Sequence, residues 1–85
     1  MSIRTVKGLG IQYYLWGDHP VHALGEVHGN EFHFQATAGH WEIHVTSNGK
    51  ANLVQQGKTP VSGRMSQDEA AIIVEAFIRD YAATD

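Results

Sequence analysis

From Glu31 to Thr46 the chain alternates apolar and polar residues with a period of two. Phe32, Phe34 and Ala36 stand against Glu31, His33, Gln35 and Thr37, and then Trp41, Ile43 and Val45 against Glu42, His44 and Thr46. That period is the signature of half-buried strands. Three pairs of turn residues punctuate it: Gly29-Asn30, Ala38-Gly39 and Asn48-Gly49. Glycine and asparagine tolerate the positive φ that tight hairpin turns demand, whereas Ala38 fits the template less well.

Two-residue loops at these three places predict one register. Val27 is expected opposite Phe32, Gly25 opposite Phe34, Phe34 opposite Ile43, Phe32 opposite Val45, and Ile43 opposite Val54. All of these side chains then share one face. A slip of one residue would turn a whole strand's apolar set to water, so the agreement between turns and alternation supports the register.

Upstream, residues 3–16 predict one strand, or a strand broken at Gly8 and Gly10, in which Ile11, Tyr13 and Leu15 alternate with Gln12, Tyr14 and Trp16. Gly17-Asp18-His19-Pro20 ends it. Further strands are expected at about residues 22–28, 31–37, 41–46 and 51–56, and residues 60–64 form either a short edge strand or an extended connector.

The period changes after Arg64. Ser66-Gln67-Asp68-Glu69 is a capping box, and Ala70, Ile73, Val74, Phe77, Ile78 and Tyr81 then recur on one helical stripe. A helix over about 67–82 follows. Its stripe needs a partner, and the sheet face carrying Tyr13, Leu15, Val27, Phe32, Phe34, Trp41, Ile43, Val45 and Val54 is the large one available. The expected fold is therefore α+β, one domain over residues 1–85: an antiparallel meander of five or six strands (about 3–64) with one C-terminal α-helix packed across one face.

Composition narrows the functional classes. The chain has 85 residues, 42% hydrophobic, no cysteine, and a net charge of -3 with histidines neutral. Without cysteine there is no disulfide framework and no thiolate metal site. The six basic residues are scattered, so the basic stripe that neutralises nucleic-acid phosphates is lacking. No apolar run is long enough for a signal peptide or a membrane span, which points to a soluble, cytoplasmic protein. No nucleophile elbow, glycine-rich phosphate loop or metalloprotease helix is present, which points away from an enzyme.

Candidate chemistry then lies on the polar face of the sheet. The expected register lays it out in rows: Trp16, His22, Thr37 and His40; Tyr14, Leu24, Gln35, Glu42 and Gln55; Gln12, Glu26, His33, His44 and Leu53. Tyr14, Trp16, His22 and Leu24 form an aromatic corner on a polar surface, a composition enriched where proteins dock. His33, His44 and Glu26 share a row, and directly opposed histidines are near enough to chelate one zinc ion. The six histidines also offer a pH response, since protonating them all would reverse the sign of the net charge.

The functional expectation is a small non-enzymatic protein-binding module, such as a regulator, inhibitor or immunity-type factor, without a cofactor. It would act through the exposed sheet face or an edge on a protein partner, or on a second copy as a homodimer. The alternative is a zinc- or nickel-binding protein or small hydrolase built on Glu26, His33 and His44.

Overall fold

The computed structural model describes residues 2–17, 20–37, 39–58 and 65–83. Six strands, β1 (Ser2–Val6), β2 (Ile11–Trp16), β3 (Val21–Val27), β4 (Asn30–Thr37), β5 (His40–Ser47) and β6 (Lys50–Gly57), precede one helix, α1 (Gln67–Ala83). The strands pair antiparallel with their chain neighbours in the order β1-β2-β3-β4-β5-β6. The fold is thus the expected α+β meander with its C-terminal helix on one face.

The N-terminal segment takes the broken form. Gly8 and Gly10 adopt φ of +89° and +69°, and the amides of Leu9 and Gly10 both donate to the Val6 carbonyl at 3.2 Å. These positive φ values are nearly free for glycine and costly for other residues, so the two glycines fix where β1 gives way to β2. Residues 60–64, proposed as a strand or connector, lie outside the described residues.

The expected register holds across β2/β3 and β4/β5. Trp16 is opposite His22, Tyr14 opposite Leu24, Phe34 opposite Ile43, and Phe32 opposite Val45. Between β3 and β4 it needs correction. The turn closes over His28-Gly29, with φ of +55° and +78°, and not over Gly29-Asn30. Asn30 is the first residue of β4 and pairs with Val27, so Gly25 faces Phe32 rather than Phe34. Tertiary contacts hold this choice: Asn30 Nδ2 donates to Tyr81 Oη at 3.0 Å, and His28 Nε2 lies 3.1 Å from the Ala82 carbonyl oxygen. Moving a turn by one residue moves opposition by two, so every side chain keeps its face while its cross-strand partner changes.

The last hairpin needs a second correction. Asn48-Gly49 turns as expected, with φ of +55° and +80°, but a register shift between Ile43 and His44 sets Ile43 against Gln55. Val54 drops out of the pairing and is 48% exposed, so it is no part of the core. No side chain of β6 is buried.

The core lies between the helix and β1 to β5. Tyr13, Leu15, Ala23, Phe32, Phe34 and Ile43 are sealed from solvent beneath Ala70, Val74, Phe77 and Ile78. The helix runs over β2 and β3 and reaches β4 through Phe77, whose ring meets Phe32 edge-on at 5.5 Å. Gly25 makes room for this packing: a Cβ there would stand 2.6 Å from the Phe32 ring. Ser66 and Glu69 form the expected reciprocal cap, with both bonds at 3.1 Å. Tyr13 Oη, on β2, donates to Glu75 Oε2 on the helix at 2.7 Å. Among the described residues no helix is long and apolar enough to cross a membrane.

Candidate functional site: the uncovered sheet face

The helix occupies one side of the sheet, and the odd-even sorting of each strand leaves the other side open. The pairings chain into one row that crosses all six strands: Ile3 opposite Tyr14, Tyr14 opposite Leu24, Leu24 opposite His33, His33 opposite His44, and His44 opposite Leu53. Both ends of this row are apolar and exposed, Ile3 at 61% and Leu53 at 46%, and Tyr14 is 44% exposed. The next row is Trp16, His22, Gln35, Glu42 and Gln56.

This layout merges two groups that the expected register kept apart. Tyr14, Trp16, His22 and Leu24 do form one corner, as expected. The two-residue change between β3 and β4 then brings His33 beside Leu24 and His22, so the aromatic corner and the histidine row become a single patch. Two shallow depressions flank Leu24 on this face. One, of about 310 Å³, is lined by Ile3, Tyr14 and Glu26; the other, of about 410 Å³, by Trp16, His33, His44 and Thr46.

The same change removes Glu26 from the expected zinc trio. Glu26 pairs with Glu31, not with His33, and among the described residues no group of three or more His, Asp or Glu side chains is disposed to hold a metal ion. His33 and His44 do face each other directly, as expected. A carboxylate near His44 is Glu42: its Oε2 is 3.1 Å from His40 Nε2, and its Oε1 is 3.8 Å from His44 Nε2. The second distance is too long for a hydrogen bond.

Within the patch two imidazoles meet. His22 Nδ1 and His33 Nε2 are 3.3 Å apart, with ring planes only 6° from parallel and centroids 5.5 Å apart. That centroid separation is the nitrogen–nitrogen distance plus the two ring radii, so the rings lie edge to edge in nearly one plane. One ring donates and the other accepts, which requires at least one neutral imidazole. Trp16 lies nearly parallel to both, 5.3 Å from His22 and 6.4 Å from His33. Burial holds the His33 pKa below its ordinary 6.5, and the neighbouring His22 and His44 push it further down against an opposing pull from Glu31.

Sequence reasoning missed the His22–His33 contact. A glycine at the second turn position fits His28-Gly29, as a glycine at the first fits Gly29-Asn30, and the two choices sort the faces identically. Comparisons with known protein families, with curated proteins and with solved structures find no match.

Proposed function

We propose that this chain is a non-enzymatic protein-binding module that docks through the uncovered sheet face. The observation that carries this reading is the unbroken row from Ile3 to Leu53, with Tyr14 and Leu24 apolar and the two imidazoles of His33 and His44 polar at its centre. Large apolar side chains on an otherwise polar face serve contact rather than stability, because the core is complete without them.

Charge selects the class of partner. The outward residues include the carboxylates of Glu26, Glu31 and Glu42, while Arg4 pairs across the sheet with buried Tyr13 and therefore belongs to the helix side. Among the described residues that share the open face by register there is no lysine or arginine. The complementary partner is a polypeptide that offers apolar side chains to the row and lysine or arginine to its rim. A second copy would bring the same glutamates, so this face favours a different protein over a homodimer.

A photo-crosslinking residue placed at Tyr14 or Leu53, with Ala76 on the solvent side of the helix as control, tests the reading in cells that express the protein. Adducts of one mass from both sheet positions and none from position 76 are expected. Equal crosslinking from all three positions, or adducts from position 76 alone, would contradict it.

A further inference from the structure

We propose that the depression lined by Ile3, Tyr14 and Leu24, with the carboxylates of Glu26 and Glu31 in its wall, receives a lysine side chain from the docking polypeptide. This rests on the reading of the open face as a docking surface and names the residue type that fits there.

The cavity, of about 310 Å³, is built from two rows of the sheet. Ile3, Tyr14 and Leu24 stand in the first row, each opposite the next, and give an apolar floor that crosses β1 to β3. Glu26 follows Leu24 by two residues on β3 and so faces the same way. Glu31 stands directly opposite Glu26 on β4. Two residues along a strand span about 6.6 Å, a distance that the four-carbon stem of lysine covers. A lysine laid over Tyr14 and Leu24 therefore brings its ammonium to the carboxylates.

The two glutamates are complementary to a cation. Directly opposed residues have Cβ atoms about 4.5 to 5.5 Å apart, and like charges at that spacing repel. Among the described residues neither Glu26 nor Glu31 has a hydrogen bond or an ion pair. Arg4, the basic residue of β1, lies on the other face and is bonded to Asp68 at 3.0 Å. A cation between the glutamates relieves their repulsion, and an apolar stem behind it covers Tyr14 and Leu24. Gln12 lines the same cavity and adds an amide oxygen. An ammonium donates in three directions and so suits acceptors on β2, β3 and β4, whereas the planar fork of a guanidinium matches a single carboxylate.

The test titrates the full chain with a capped tripeptide of leucine, lysine and leucine, and with the same peptide carrying arginine or norleucine at its centre. Tyr14 ring protons and the Glu26 and Glu31 carboxyl carbons are followed by NMR. The lysine peptide is expected to shift all three groups and to bind more tightly than the arginine peptide. Norleucine keeps the stem and lacks the charge, and is expected to bind about tenfold more weakly. Glu26→Gln and Glu31→Gln are each expected to weaken the lysine peptide about threefold, and Asp68→Asn, an equal change of charge on the helix, to leave it unchanged. Urea midpoints show that each variant is folded, and the norleucine comparison needs no variant. No shift with the lysine peptide, equal binding of the norleucine peptide, tighter binding of the arginine peptide, or unchanged affinity in both glutamate variants would overturn the pocket. Crosslinking from Leu53 is read separately. Adducts there without a lysine preference here overturn the pocket and leave the docking face, whereas a lysine preference without adducts supports the pocket and counts against the wider face.

Discussion

Leu24 stands directly opposite His33 on the open face, because the β3/β4 turn closes over His28-Gly29. From that pairing follows the continuity of the patch, with apolar and aromatic groups from β1, β2 and β3 running into imidazoles from β4 and β5. The contact lies outside the core, so it can be altered without unfolding the protein. Leu24→Asp is expected to cost about 1 kcal/mol, the span of strand propensity at a half-buried position, measured by urea denaturation, while abolishing the crosslinks formed from Tyr14 and Leu53. A large loss of stability would mean that Leu24 is structural.

Gly25 is the opposite case. Its missing side chain leaves space for the Phe32 ring, at 2.6 Å from an ideal Cβ, and for the Tyr13 Cβ at 3.0 Å. Phe32 cannot retreat, because it is buried against Phe77. Gly25→Ala is expected to destabilise by about 1 to 3 kcal/mol. Gly57→Ala meets the Trp41 ring at the same distance, but at the end of an exposed strand where the neighbours can yield. A smaller loss is expected there, and urea midpoints of the two variants give the comparison.

The bond from Tyr13 to Glu75 ties β2 to the helix and adds an alkaline pH dependence. Burial raises the Tyr13 pKa above its ordinary 10.0, and the hydrogen bond to Glu75 and the charge of that carboxylate raise it further. The folded state thus holds the phenolic proton more tightly than the unfolded state. Its contribution is fully present below the unfolded pKa and is lost as pH climbs past it toward the folded value. Tyr13→Phe is expected to cost about 1 to 2 kcal/mol at neutral pH and to flatten the fall in stability above about pH 10. Denaturation curves of both proteins across that range provide the check.

At the start of the helix, the capping box and an ion pair should differ in weight. Ser66→Ala removes the acceptor for the Glu69 amide and is expected to cost about 1 kcal/mol. The Arg4–Asp68 pair is 3.0 Å long, but the Asp68 side chain is 87% exposed. Asp68→Asn is therefore expected to change stability by well under about 1 kcal/mol, and by less still at high salt. Thermal melts at low and high ionic strength separate the two.

Most of the fold was legible because period and turn chemistry agreed. The alternation over residues 31–46 sorted the faces, and Ser66 with Glu69 marked where the helix begins. What the pattern could not carry was opposition between β3 and β4. Faces depend on the parity of the register, which hydrophobicity reads, whereas partners depend on its value. Here that value is set by where His28 and Asn30 dock against the helix. Glu26 was accordingly assigned to His33 when it pairs with Glu31. Val54 was misplaced for a related reason: a register shift inside a strand leaves no mark in an alternating sequence.

The turn that sets the partners is also where the account is most directly tested. Cross-strand nuclear Overhauser effects between β3 and β4 report opposition residue by residue. The Leu24 Hα should give a strong cross-peak to the Hα of His33, and the His22 and His33 rings should show mutual contacts. Strong backbone cross-peaks from Glu26 to His33, with none from Leu24, would place the turn over Gly29-Asn30 and separate the imidazole pair, contradicting the single continuous face.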